Sequence, residues 1–168
     1  PNTLILDQET RFGDYMPHNF SNTYTGEVTV AYALQHSLNI PAVKILQKVG
    51  TETFVNKISA YTGKLRVPKK RATLPVALGG VGISMWQLSQ LYVALANSGK
   101  AHPIHYLQIP ESTTIPKKLC EKKSAKMTTA ILREVPAPEG FVDTHHQIAY
   151  KTGTSYGYRD AWTIAYSK

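Results

Sequence analysis

Cysteine is almost missing from this chain. Cys120 is the single one in 168 residues, so no disulfide can form within it. That scarcity fits a reducing cytoplasm and equally a periplasmic protein that uses no disulfides. A nucleophilic thiol needs a nearby base and an oxyanion-binding donor, and the basic stretch around Cys120 offers neither, so the residue reads as non-catalytic. Long apolar runs are missing too. None approaches the roughly 18–20 residues that span a bilayer, and no charged-then-apolar N-terminal segment reads as a secretion signal. The chain opens on Pro1 rather than Met, which creates the expectation that it is a piece of a longer product. A missing anchor therefore says nothing about that product. Negative charge is scarce, with 11 acidic against 19 basic residues and a net charge of +8. Much of the excess lies in two runs, Lys64 to Arg71 and Lys117 to Lys126. These read as solvated faces, with attraction to an anionic wall polymer, a membrane surface or nucleic acid as the alternative. The runs lack the interleaved aromatics of a single-strand platform, and there is no zinc-finger, helix-turn-helix or RNA-recognition signature. Nucleic acid is accordingly not an expected partner.

What is present is ordinary for a folded domain: 42% apolar and 18% charged residues. The length suits one domain with a real core and is too short for two large ones. Residues 1–27 show little helical periodicity. Leu4-Ile5-Leu6 reads as a brief strand and the rest as an ordered loop. Thr29 is placed to cap a helix carrying Val30, Ala33 and Leu34 on one face. That helix should stop around Ser37-Leu38-Asn39, because Pro41 disfavours a helical Ile40. A second helix is expected from Pro41 to a stop at Gly50, and a third, capped by Thr51, through Tyr61. The glycine-rich stretch Leu74 to Gly82 reads as a tight buried loop. Ser84 with Gln87 forms a capping-box pattern that opens a helix from Met85 to Asn97, with Leu88, Leu91, Tyr92 and Leu95 as its buried stripe. Residues 100–122 read as loop with short extended pieces around Ile104–Ile109, followed by a helix capped by Ser124 and running to about Val135. Gln147–Thr154 and Ala161–Tyr166 read as an antiparallel hairpin around the turn Ser155–Asp160.

Two short motifs carry chemistry. Lys151-Thr152-Gly153 lies near the end of the first hairpin strand, where an ammonium beside hydroxyls suits a carboxylate and the glycine lets another backbone approach. Ser37-Leu38-Asn39 falls at the expected break between two helices. There Ser37 is suited to relay a proton and the Asn39 amide to bond a peptide carbonyl. Either motif alone is weak, because Ser and Asn commonly end helices. Their joint appearance, with Lys-Thr-Gly about 110 residues downstream on an expected strand, is more informative. The adjacent pair His145-His146 is a poor metal site, since neighbours on a strand point to opposite faces. Trp162 and Tyr166 read as sheet packing, whereas Tyr156 and Tyr158 sit in a turn beside the expected cleft.

The surrounding residues make a resemblance specific. Ser37-Leu38-Asn39-Ile40-Pro41-Ala42-Val43, Ala77 to Ser84 with Gln87-Leu88, Tyr92 and Ala96-Asn97-Ser98-Gly99 resemble segments of class A penicillin-binding proteins. Lys151 to Trp162, with its Tyr-Gly-Tyr-Arg-Asp-Ala-Trp extension, resembles the 1C subgroup in particular, as do Leu6-Asp7, Tyr15, Pro17 and Asn19-Phe20. The likeness covers essentially the whole chain in order. It implies an α+β (mixed α/β) transpeptidase and β-lactamase-like fold, a five-stranded antiparallel sheet packed with helices, of which residues 1–168 are one partial domain. It implies cross-linking of peptidoglycan stem peptides ending in D-Ala-D-Ala, acylation of the full-length parent by β-lactams, no cofactor or metal, and a parent anchored in the inner membrane facing the periplasm. Ser37, Asn39 and Lys151 would be catalytic. Thr152, Gly153, Thr154 and Tyr156 would bind substrate, with the Thr154 N–H as one oxyanion donor.

One element of the resemblance is missing. The family nucleophile lies in Ser-x-x-Lys, and no serine here has lysine three positions on; Lys44, seven residues beyond Ser37, does not fit. The isolated chain is therefore expected to be inactive. The last strand is expected to be left as an open edge. Two other readings remain: a non-catalytic remnant that binds stem peptide or a wall partner, and a degraded gene fragment. A β-lactamase is disfavoured because no deacylating Glu element is recognisable.

Overall fold

Hydroxyl caps at Thr29 and Ser84 and glycines at positions 50 and 63 divide much of the chain into short helical elements. The computed structural model describes residues 1–68, 72–105, 107, 114–138, 140 and 147–167, with only the backbone at 156. Strand β1 (Leu4–Asp7) pairs antiparallel with β2 (Gly26–Thr29), Leu4 opposite Thr29 and Asp7 opposite Gly26. The expectation of a loop up to residue 27 is corrected here. Four residues containing a glycine carry little strand signal, and β2 is defined by its ladder with β1. Thr29 ends β2 and caps α1 (Val30–Gln35), its Oγ1 accepting the Tyr32 N–H at 3.1 Å.

Helix α2 (Asn39–Val49) starts before Pro41, so Ile40 is helical after all. Pro41 sits in the first turn, where its missing N–H would have had no intrahelical partner. Gly50, at φ 88, separates α2 from α3 (Thr51–Thr62). Thr51 does not cap α3; Gly50 occupies that position and the Thr51 hydroxyl donates to the Ala72 carbonyl at 3.3 Å. The expected loop at 74–82 contains a 3-10 turn, Leu74–Leu78, which packs Val76 against Leu46, Val55 and Leu65 to form the main apolar cluster. Burying a side chain of that size contributes about 1.5–3 kcal/mol.

The capping box of α4 (Met85–Ala96) is present in both halves. Ser84 Oγ accepts the Gln87 N–H at 3.2 Å, and the Gln87 side chain accepts the Ser84 N–H at 3.0 Å. The expected stripe differs: Leu88, Leu91, Tyr92 and Leu95 are half-buried, and Ala94 is the fully buried residue. Ala94 clusters with Tyr61 and Ala101, a close approach that only a small side chain permits. Strands β3 (Lys100–Ala101) and β4 (Lys117–Lys118) form a second antiparallel pair, while the extended piece expected around Ile104–Ile109 lies mostly outside the described residues. Helix α5 (Lys122–Arg133) begins after Glu121, which holds the N-cap position three residues ahead of the expected cap, Ser124.

The hairpin is as expected: β5 (Ile148–Thr154) pairs with β6 (Ala161–Ser167) from Ile148 opposite Ser167 to Thr154 opposite Ala161. Tyr166 packs inward, its ring edge-to-face with Tyr92 at 6.0 Å and its hydroxyl 2.8 Å from Thr129 Oγ1. The α+β class holds, but among the described residues the strands form three two-stranded sheets and not one of five. Neither outer edge of the β5–β6 hairpin carries a further strand among them.

Gly99 shows how tightly the β3–β4 corner is closed. A Cβ there would lie 2.4 Å from the Cys120 carbonyl oxygen, on a backbone at φ +93. Both the clash and the left-handed conformation oppose any side chain. Gly99→Ala should lower stability by about 2–4 kcal/mol, read as a reduced denaturant midpoint with unchanged slope.

Candidate active site

Two walls separated by 114 residues meet at one hydrogen bond. The Lys151 ammonium, on β5, donates to Ser37 Oγ, between α1 and α2. It donates also to the Thr152 carbonyl at 2.8 Å. The sequence motifs Ser37-Leu38-Asn39 and Lys151-Thr152-Gly153 are therefore brought together at this contact.

The Ser37 wall is shaped by a helix break. α1 closes with the Ser37 N–H on the Leu34 carbonyl at 3.3 Å and the Leu38 N–H on the Ala33 carbonyl at 2.9 Å. Ser37 takes φ 54, a left-handed conformation uncommon for a residue with a Cβ, and its side chain is exposed. Asn39 is half-buried; its Nδ2 donates to the His18 carbonyl at 2.8 Å, which fixes the amide plane and leaves Oδ1 as an acceptor. Lys44 is remote from this chemistry, its ammonium donating to the Leu6 carbonyl at 2.7 Å.

The β5 wall follows from the hairpin register. Ser155 N–H donates to the Asp160 carbonyl at 2.9 Å, and the ladder runs without a bulge. Alternation then makes Gly153–Trp162 and Lys151–Ile164 the mutually hydrogen-bonded pairs, so the N–H and C=O groups of Thr152 and Thr154 point to the open edge of β5. The Lys151 bond to the Thr152 carbonyl agrees, since it places that carbonyl on the side of Ser37. Along the strand Lys151 and Gly153 share one face, Thr152 and Thr154 the other. Both threonines are exposed, and their hydroxyls make no hydrogen bond among the described residues. Nothing lies within 4 Å of where a Gly153 Cβ would be, so the chain's own packing does not demand glycine there. The side chain of Tyr156 is outside the described residues. Tyr158 at φ 57 is 75% exposed and meets Phe20, itself 77% exposed, edge-to-face at 6.3 Å.

The contribution of Phe20, and behind it of Asn19 and Asp7, was not expected as part of the site from their own chemistry. Asn19 is 3% exposed and Asp7 0%. The Asn19 side-chain carbonyl accepts the Asn39 N–H at 2.8 Å, so it reaches the motif directly. A leucine at the N-cap of α2, unable to cap it, is the sequence signal that another residue must do so.

Burial lowers the Lys151 pKa from the ordinary 10.5. Its ammonium therefore gives up a proton more readily than a surface lysine does, which suits proton exchange with Ser37. The folded form holds this proton less tightly than the unfolded chain. Between the two pKa values the unfolded state thus binds more protons, and Lys151 makes stability rise with pH through that window. An NMR titration of the Lys151 side chain should give a midpoint below 10.5; a midpoint at the ordinary value would contradict the burial of its ammonium.

Residues 1–168 match the family model described as the penicillin binding protein transpeptidase domain. The chain is 35% identical over 167 residues to penicillin-binding protein 1C of Escherichia coli K12, covering 98% of this chain and 21% of that protein. It is 29% identical over 167 residues to penicillin-binding protein 1B of Vibrio cholerae, covering 89% of this chain and 21% of that one. It thus spans about a fifth of the length of these relatives. The apo transpeptidase domain of penicillin-binding protein 3 from Burkholderia pseudomallei superposes with a TM-score of 0.78 at 20% identity, covering 98% of this chain and 60% of that one. Penicillin-binding protein 1A from Haemophilus influenzae does so with 0.77 at 15% identity, covering 98% and 33%.

Proposed function

The chain belongs to the penicillin-binding protein transpeptidase domain family, and from that membership we propose that its cleft binds the D-Ala-D-Ala end of a peptidoglycan stem peptide for cross-linking in the cell envelope. The observation that carries this reading is the hydrogen bond from Lys151 to Ser37, which brings the two motifs to the same place. In it the terminal carboxylate of the peptide lies against the Thr152 and Thr154 hydroxyls, with the Lys151 charge behind them. The open edge of β5 bonds the peptide backbone as an added strand, and the missing Cβ at Gly153 lets it come close. The Asn39 amide bonds a peptide carbonyl. In a longer protein that supplies the attacking serine, the Thr154 N–H would face the carbonyl oxygen whose negative charge develops on attack, and Ser37 would hand the departing amine a proton that Lys151 replaces.

No serine here is followed three residues on by lysine, so the reading assigns the 168-residue chain peptide binding without acylation. β-Lactams are then ligands of a longer protein that supplies the nucleophile. Intact mass after incubation with a labelled penicillin should show no serine-linked adduct, and an adduct would overturn that part. Calorimetry with a D-Ala-D-Ala peptide should show binding. Lys151→Ala should weaken it roughly tenfold to a hundredfold, the worth of a charge-assisted bond. Affinity should also fall on the alkaline side as Lys151 loses its proton, since the neutral amine no longer attracts a carboxylate. Gly153→Ala should leave the melting temperature within a degree or two, roughly, while reducing affinity, because the space it fills is empty in the free chain.

A further inference from the structure

Helix α2 begins at the residue that follows Leu38, and a leucine at the N-cap offers its first N–H groups no acceptor. The second of them belongs to Ile40, which is 0% exposed and so has no water to turn to, while Asn39 is half-buried. Unpaired, each would cost about 1–3 kcal/mol. The acceptor comes instead from a loop 20 residues earlier: Asn19 Oδ1 takes the Asn39 N–H at 2.8 Å and lies 3.5 Å from the Ile40 nitrogen. The other half of the same amide is fully used. Asn19 Nδ2 donates to both Asp7 carboxylate oxygens at 2.9 Å and to the Thr23 carbonyl at 2.9 Å. Asp7 Oδ2 also accepts the Thr25 N–H at 2.9 Å, which ties the carboxylate to the start of β2.

We propose that Asn19, oriented by Asp7, is a positioning residue for this site: it sets where the Ser37-Leu38-Asn39 break stands relative to Lys151. The inference rests on the stem-peptide reading of the cleft. The geometry explains why a remote cap differs from a local one. A Ser or Asp at position 38 would satisfy the helix but add no link between its start and β1, which α2 otherwise meets a turn later through Lys44 and the Leu6 carbonyl. Asn19 satisfies the helix and binds it to β1 through the Asp7 carboxylate, buried at 0% exposure. The neighbouring residue repeats the grip, as the His18 carbonyl holds the Asn39 side chain at 2.8 Å. On the outer side Phe20 touches Tyr158, so the same three-residue stretch reaches the turn that follows β5. Ser37 itself is exposed, and its backbone N–H is held by the Leu34 carbonyl where α1 ends.

The test separates positioning from capping. Asn19→Ala removes both; Asn19→Ala with Leu38→Ser restores a local cap to α2 without the link to Asp7. Val55→Ala, in the main apolar cluster away from the cleft, serves as a variant of comparable destabilisation. Each full chain is measured for melting temperature, for D-Ala-D-Ala peptide affinity, and for the Lys151 side-chain titration by NMR, at a temperature where it is folded. The expected result is that Asn19→Ala weakens peptide binding about tenfold and moves the Lys151 midpoint up toward 10.5 as the walls part, while Val55→Ala does neither. The double variant should regain melting temperature but neither affinity nor the lowered midpoint. Should Asn19→Ala alone fail to fold, the double variant carries the measurement. The proposal is overturned if Asn19→Ala behaves as Val55→Ala, or if the local cap restores affinity and midpoint together with stability. If the unaltered chain binds no peptide, the stem-peptide reading fails, and the Lys151 midpoint still decides whether Asn19 sets the distance between the walls.

Discussion

A buried carboxylate held by a side-chain amide and a backbone N–H organises the N-terminal third of the chain. Asp7 is wholly removed from water and accepts hydrogen bonds from the Asn19 amide and the Thr25 N–H. Taking an ionised group out of water is costly unless its oxygens are bonded, so the positions of the groups that bond it are not free to vary. Asn19 brings the loop of residues 17–25 inward, and Thr25 leads into β2. Through the far side of the same amide, the start of α2 is held as well. One polar knot thereby links β1, β2 and the helix break that carries Ser37 and Asn39.

The second organising contact joins the Ser37 turn to β5. Lys151 loses part of its hydration at the interface of β5 with the Ser37 turn, and it recovers hydrogen bonds from Ser37 Oγ and the Thr152 carbonyl. Partial burial at this contact holds its pKa below the ordinary value. The hairpin contributes in a different way. Its register, not its side chains, turns the Thr152 and Thr154 backbone groups to the open edge. Charge comes from one face of β5, hydroxyls from the other, and main-chain donors from its edge. These are three distinct resources for a ligand with a carboxylate and an amide backbone.

Much of the fold was legible in the sequence because local chemistry decides it. Ser84 with Gln87 announced α4, and Thr29 announced α1. The β5–β6 hairpin followed from alternation around a turn, with its ends within a residue of expectation. Where a distant group completed an element, sequence reasoning went astray. Pro41 should have delayed α2, yet the helix starts earlier because Asn19 supplies its acceptor. Thr51 looked like a cap, but the Ala72 carbonyl claims its hydroxyl. Strand β2 had too little pattern of its own and exists through its ladder with β1. The stripe of α4 was overestimated because close packing at Ala94 depends on Tyr61 and Ala101, residues no helical period can foresee.

The identities of the motif residues were fully determined by the sequence: a lysine, two threonines and a glycine on a strand, a serine and an asparagine at a helix break. So was family membership, which rests on residue types in order along the chain. Only the tertiary structure decided that Lys151 reaches Ser37, and that the Asn39 backbone is held by Asn19. The physical reason is the range of the interactions. Capping, alternation and turn chemistry act over a few residues and leave a local trace. A hydrogen bond between positions 37 and 151 depends on how every intervening element packs, and no pair of sites that distant leaves a mark in either neighbourhood.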